Sequence, residues 1–279
     1  MVYLSNISAA LPESPILPEK GIKSVFSLVQ FAELNTPYRS MTSLYSGDET
    51  HPLLFADGLD VVVHHEESGV LYYDLNIADI SNPANLETHK QYPMTAFDVF
   101  CRAVVFITER LKYGNVLIHC EQGRRRSPTA FLAFLVSNGV RVHQAIQILS
   151  SGYSGEEDWA IHYSKHRSLW IERLAQFEFK HPSLCAAFKM THPKMIKAFH
   201  GAVWTEEDEK EYQEKLKSIE SSASPSIPSI GTLLGYNESQ ATKKRPGASD
   251  LSQNKTAPAS KKYKLVTSTM LPSRWAQKK

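Results

Sequence analysis

The sequence predicts an α/β chain built on a central, mainly parallel sheet flanked by helices, with a helical extension and a basic tail after it. Three observations carry this. β-type runs at 22–28, 59–63 and 70–77 come before any helical pattern. From Ala96 to Leu111 the apolar residues Val99, Phe100, Ala103, Val104 and Ile107 recur at intervals of three and four, the spacing of one helix face. Val116-Leu117-Ile118 then reads as a short buried strand, which passes through a polar, glycine-containing turn into a second apolar helical stretch, 127–136.

Each element has its own punctuation. Gly21 precedes the first run, and Glu67-Ser68-Gly69 makes a turn between the second and third. Pro93 stands ahead of the first helix and Gly114 closes it. Helical patterns at 142–149 and about 159–177 supply helices for both faces of a sheet. Farther on, His181-Pro182-Ser183-Leu184-Cys185-Ala186-Ala187-Phe188 and His192-Pro193-Lys194-Met195-Ile196-Lys197-Ala198-Phe199 repeat one pattern eleven residues apart. Both read as short helices with proline in the first position, packing on the domain. Thr205 opens a highly charged helix to about 220, and 221–228 shift to Ser/Pro composition, where a disordered tail is expected to begin.

A chain of 279 residues that is 42% hydrophobic fits one core of roughly 150–200 residues plus a tail. The net charge of +2 conceals a segregation. Residues 221–279 hold ten Lys/Arg against Glu238 and Asp250, a balance of +8 that leaves −6 for residues 1–220. The two parts should have different partners. Cys101, Cys120 and Cys185 form neither an even disulfide framework nor paired metal-ligand spacing, which favours a reducing compartment. The pairs His64/His65 and His162/His166 lack the third and fourth ligands of a metal site, so no metal or other cofactor is expected. There is no basic start followed by an apolar run, and no stretch reaches the roughly 18 apolar residues of a membrane span. A soluble protein of the cytoplasm or nucleus is the expectation.

The chemistry concentrates in His119-Cys120-Glu121-Gln122-Gly123-Arg124-Arg125-Arg126-Ser127, a Cys-x5-Arg segment between a strand and a helix. Such a turn suits phosphoryl transfer through a thiolate. Backbone N–H groups of Glu121, Gln122, Gly123, Arg124, Arg125 and Arg126 would curl into a nest that, with the positive end of the following helix, holds three phosphate oxygens. That field also favours the thiolate of Cys120, the form that attacks phosphorus. The Arg126 fork can donate two parallel hydrogen bonds to equatorial oxygens, which lysine cannot. Gly123 permits the angles that close the loop, and the Ser127 hydroxyl can donate to the Cys120 sulfur and ease its departure. His119 is expected to brace the loop through hydrogen bonds. Cys101, on an apolar helix face, is expected to pack; a protective disulfide of Cys120 with Cys101 or Cys185 under oxidation is the alternative.

These residues resemble the dual-specificity protein phosphatases of the cysteine-based protein tyrosine phosphatase superfamily. The resemblance extends to Ser127-Pro-Thr-Ala-Phe-Leu-Ala-Phe-Leu-Val, Val142-His-Gln-Ala-Ile, Leu169-Trp170-x-x-Arg173-Leu174, Tyr3-Leu4-Ser5-Asn6-Ile7-Ser8-Ala9-Ala10 and Gly21-Ile-Lys-Ser-Val, covering about residues 1–178. It implies a catalytic domain at 1–178 with an insertion at about 29–69, a helical extension at 179–220 and the basic tail at 221–279. It also implies a general acid ahead of the loop, which points to Asp79 in Tyr73-Asp74-Leu75-Asn76-Ile77-Ala78-Asp79. The rivals are Asp74, which strand alternation would place on the surface, and Asp98, inside the first helix. The family's Asn-x-Gly before its last helix is missing around 163–168.

The expected activity is hydrolysis of phosphate monoesters through a phosphocysteine, on phosphotyrosine, phosphoserine or phosphothreonine proteins. Arg124 and Arg125 also suit a more acidic ligand, a phosphoinositide or an RNA 5′ end. A domain that recognises phosphate without turnover is a further alternative. In the tail, Lys243-Lys244-Arg245 and Lys261-Lys262-Tyr263-Lys264 suit an import receptor or a polyanion.

Overall fold

Short apolar runs become strands because both of their faces can be covered, and the computed structural model puts them in one sheet. It describes residues 1–29, 53–54, 60–65, 68–77, 82–87, 94–152, 159–222 and 266–267. Among these the strands are β1 (Val2–Ser5), β2 (Ile22–Leu28), β3 (Leu53–Leu54), β4 (Asp60–His65), β5 (Val70–Leu75), β6 (Asn115–His119) and β7 (Val266–Thr267). Their order is β3-β4-β5-β2-β6-β1-β7. Strands β5, β2, β6 and β1 are mutually parallel, β7 joins β1 in parallel, and β4 and β3 add an antiparallel edge. The α/β architecture on a mainly parallel sheet is as the sequence predicts.

Register explains how the sheet serves two cores at once. Tyr3, Leu117, Val25 and Tyr72 stand side by side across β1, β6, β2 and β5. They pack with Ala10 and Leu17, from the turn Ile7–Ala10 and from α1 (Ile16–Glu19). The next row, Leu4, Ile118, Phe26 and Tyr73, faces the other way. There Phe26 stacks on Tyr73 with centroids 5.0 Å apart, and both meet Phe106 of α3 (Ala96–Arg110). Adjacent tyrosines in β5 thus anchor opposite cores. The helices that follow are α4 (Arg126–Ser137), α5 (Val142–Gly152), α6 (Trp159–Thr191) and α7 (Pro193–Phe199); α2 (Pro83–Glu87) precedes α3.

A third row, Ser5, His119, Ser27 and Asp74, closes the carboxyl end of the parallel strands on the Tyr72 side. His119, Ser27 and Asp74 are buried in this row. Asp74 is 4% exposed, which corrects the expectation of a surface residue. The reason is that alternation predicts solvent only when one face is bare, and β5, paired on both edges, is covered on both faces.

A further difference concerns the C-terminal helices. The first His-Pro copy does not start a helix: Pro182 lies inside α6, which runs unbroken to Thr191. Proline removes the N–H that would have reached the Glu178 carbonyl, and the His181 ring, through Nδ1, meets that carbonyl instead at 3.1 Å. The second copy does start a helix, with Pro193 in the first turn of α7. Both copies bury their phenylalanine: Phe188 stacks on His192, and Phe199 packs edge-on against Phe106. Residues 178 and 179, between which the catalytic domain was expected to end, are both within α6, and the first compact unit comprises 1–204 together with 264–279. Residues 163–168 also fall within α6.

The second unit, residues 205–263, is described over α8 (Glu206–Ser222), whose start is fixed by a reciprocal cap between Thr205 and Asp208. Most of the insertion expected at 29–69, and of the tail, lies outside the described residues. From the tail the described parts are Ser221 and Ser222 at the end of α8, and β7. Among the described residues no helix is long and apolar enough to cross a membrane.

Candidate active site

Strand β6 is the central element of the site. Its residues Val116, Leu117 and Ile118 are wholly buried between β2 and β1, and the chain leaves it at His119 into the loop. Cys120 follows directly, 2% exposed, its thiol free of any disulfide. Loops at the carboxyl ends of parallel strands are where open α/β sheets bind ligands.

Gly123 turns the loop. Its φ is +74°, and a Cβ there would lie 2.7 Å from the Ser5 carbonyl oxygen and 3.2 Å from the Asn6 nitrogen. Glycine is therefore required twice over, by backbone angle and by the close approach of the end of β1. Nearby, the Ile7 N–H donates to the Glu121 carbonyl at 3.3 Å, a second tie between the loop and the segment after β1.

Helix α4 begins at Arg126, and its first turn holds both Arg126 and Ser127. Ser127 Oγ donates to Cys120 Sγ at 3.4 Å, with both residues buried. Arg126 is also buried, and its Nη1 donates to the Ile77 carbonyl at 2.9 Å, while Nη2 lies 3.7 Å from the exposed Glu121 carboxylate. The exposed pair is weak, but the bond to Ile77 fixes the guanidinium from below. At the loop's outer rim Gln122, Arg124 and Arg125 are exposed, and the Arg125 carbonyl accepts from both the N–H and the hydroxyl of Thr129.

His119 is fully buried, and burial pushes its pKa down to about 3; a hydrogen bond to the Cys120 backbone opposes this and the Arg126 charge reinforces it. It is a neutral imidazole at any physiological pH.

The loop thus brings together Cys120, Gly123, Arg126 and Ser127, with His119 beneath. Asp79 lies outside the described residues. Of its rivals, Asp98 is committed to the start of α3, where its carboxylate accepts from the Thr95 N–H and hydroxyl. Asp74 belongs to the buried row beside Ser27. Two site features escaped the sequence reading. The Ile77 carbonyl as an anchor for Arg126 is a backbone group with no residue signature. The polar row of Ser5, His119, Ser27 and Asp74, buried at the last three, was legible only from register.

No protein-family model matches the chain. Among solved structures it is similar to DUSP15, at 17% identity over 63% of this chain and 90% of that one, with a TM-score of 0.32. It is similar to PTPMT1 in complex with PI(5)P, at 16% identity over 67% and 94%, with a TM-score of 0.35. It is also similar to kinase associated phosphatase carrying serine in place of its catalytic-site cysteine, at 17% identity over 62% and 75%, with a TM-score of 0.35.

Proposed function

We propose that this chain is a cysteine-dependent phosphatase that hydrolyses phosphate monoesters of phosphotyrosine, phosphoserine or phosphothreonine proteins. One observation carries the reading: a buried sulfur at the end of the central strand has a serine hydroxyl 3.4 Å away and a tethered arginine in the same helical turn. In the first step Cys120 Sγ attacks phosphorus, an S–P bond forms and the ester P–O bond breaks. Arg126, freed of rotamer choice by Ile77, pairs its fork with equatorial oxygens as charge spreads over them.

The leaving oxygen needs a proton, and Asp79 is the residue we assign to supply it. In the second step the Asp79 carboxylate takes a proton from water while the water oxygen attacks phosphorus. The P–S bond breaks, and the Ser127 hydroxyl stabilises the departing thiolate. Free phosphate and the starting enzyme result.

Exposure of Arg124 and Arg125 on the same loop favours a second reading of the substrate, a phosphoinositide or an RNA 5′ end. The test is hydrolysis of a small aryl phosphate by wild type, Cys120→Ser and Asp79→Asn, followed by phosphopeptides, phosphoinositides and triphosphorylated RNA. Turnover that disappears with Cys120→Ser supports the reading, and the panel ranks the substrates. An inert wild type that still binds phosphorylated ligands replaces it with a phosphate-recognition domain.

A further inference from the structure

The other two cysteines face each other. Cys101 on α3 and Cys185 on α6 are 84 residues apart in sequence, yet their sulfurs are 3.9 Å apart, and neither is in a disulfide. Cys101 is 3% exposed; Cys185 is only half-buried, with Lys189 one turn further along the same helix. The contact between the two sulfurs draws the Cys185 thiol below its ordinary value, against burial and with help from the Lys189 charge. The same contact, with burial and the Asp98 charge, pushes Cys101 up. The half-buried sulfur is thus the more readily ionised of the two, with the buried one in contact with it. That division of labour suits an attacking and a resolving thiol.

We propose that Cys101 and Cys185 form a reversible disulfide between α3 and α6, closed by hydrogen peroxide. The Cys185 thiolate attacks one peroxide oxygen, the O–O bond breaks, and Cys185 becomes a sulfenic acid as hydroxide leaves. The Cys101 sulfur then attacks the Cys185 sulfur, an S–S bond forms, and the sulfenic oxygen departs as water with the Cys101 proton. Two thiols lose two electrons, and one peroxide is reduced to two waters.

Closing the bond requires the sulfurs to approach by roughly 2 Å, to the usual S–S length of about 2.05 Å. Pro182, three residues before Cys185, removes one backbone bond from that part of α6 and eases the adjustment. The link would tie α6 to the helix that packs against α4, which opens with Arg126 and Ser127.

The experiment treats the full chain with hydrogen peroxide, blocks remaining thiols, digests it and weighs the peptides. The expected result is a cross-linked pair joining Cys101 and Cys185, lighter by two hydrogens, that dithiothreitol separates. The same cross-link is expected in Cys120→Ser, so the outcome is independent of the phosphatase reading. Oxidation should raise the unfolding temperature of wild type by roughly 5–10 °C and leave that of Cys185→Ser unmoved. Disulfides from Cys120 to either residue, or Cys185 recovered only as sulfinic or sulfonic acid, would overturn the proposal. Should Cys185→Ser fail to fold, the wild-type peptide masses decide alone.

Discussion

Cys120 and Cys101 are both buried, on elements of one α/β unit, and their surroundings differ in kind. The sulfur of Cys120 sits where a strand ends and a helix begins, with the Ser127 hydroxyl as its partner and the Arg126 guanidinium in the same turn. Cys101 lies mid-helix on an apolar face, with the sulfur of Cys185 as its partner and the Asp98 carboxylate a turn away. Donors around a sulfur favour its thiolate; for Cys101 the contact with Cys185, burial and the Asp98 charge favour the protonated thiol. Burial is common to both; the groups placed around each sulfur are what differ.

The largest expected effect separates the two sites outright. Replacing Cys120 by serine should lower turnover of an aryl phosphate by about 10³-fold or more, whereas reduced Cys185→Ser should stay within about twofold of wild type. Equal losses in both would erase the distinction. Next in size is Arg126→Lys, which keeps the charge but loses the fork and the bond to Ile77. Steady-state kinetics should show kcat/KM down by about 10²-fold, with most of the loss in kcat.

The neutral imidazole under Cys120 gives a pH test of the same environment. His119 has its pKa lowered by burial, so below about pH 6.5 the unfolded chain binds a proton that the folded chain refuses. Its contribution is therefore present above the unfolded value and is lost as pH falls toward 3. Urea titrations should show a fall of up to about 1.4 kcal/mol per pH unit between pH 6 and 4, reduced in His119→Gln. An unchanged slope in that variant would mean that His119 is protonated in the folded protein. The smallest effect is for Ser127→Ala. Breakdown of the phosphocysteine should slow about tenfold while its formation is little changed, seen as a burst of leaving group before the steady state.

What the sequence made legible follows the same division. The loop reads directly because Cys120, Gly123, Arg126 and Ser127 are neighbours in the chain, and a strand before with a helix after determines how they are presented. Strands β2, β5 and β6 and helix α3 were legible because apolar spacing is also a local signal. Asp74 was misread because alternation assumes one exposed face, which β5 does not have. Pro182 was misread as a start because the carbonyl it orphans finds the His181 ring, a compensation that spacing does not reveal. The partnership of Cys101 with Cys185, and the buried pair of Asp60 on β4 with Arg102 on α3, join residues that only the fold brings together.

The central claim is a covalent phosphoryl group on Cys120, and rapid acid quench of wild-type protein turning over an aryl phosphate, followed by peptide mass analysis, tests it most directly. The peptide holding Cys120 should gain the mass of one phosphoryl group, more so in Ser127→Ala, and the gain should vanish when substrate is exhausted. Steady turnover with no such peptide in either protein, or with the phosphoryl group on a different residue, would contradict it.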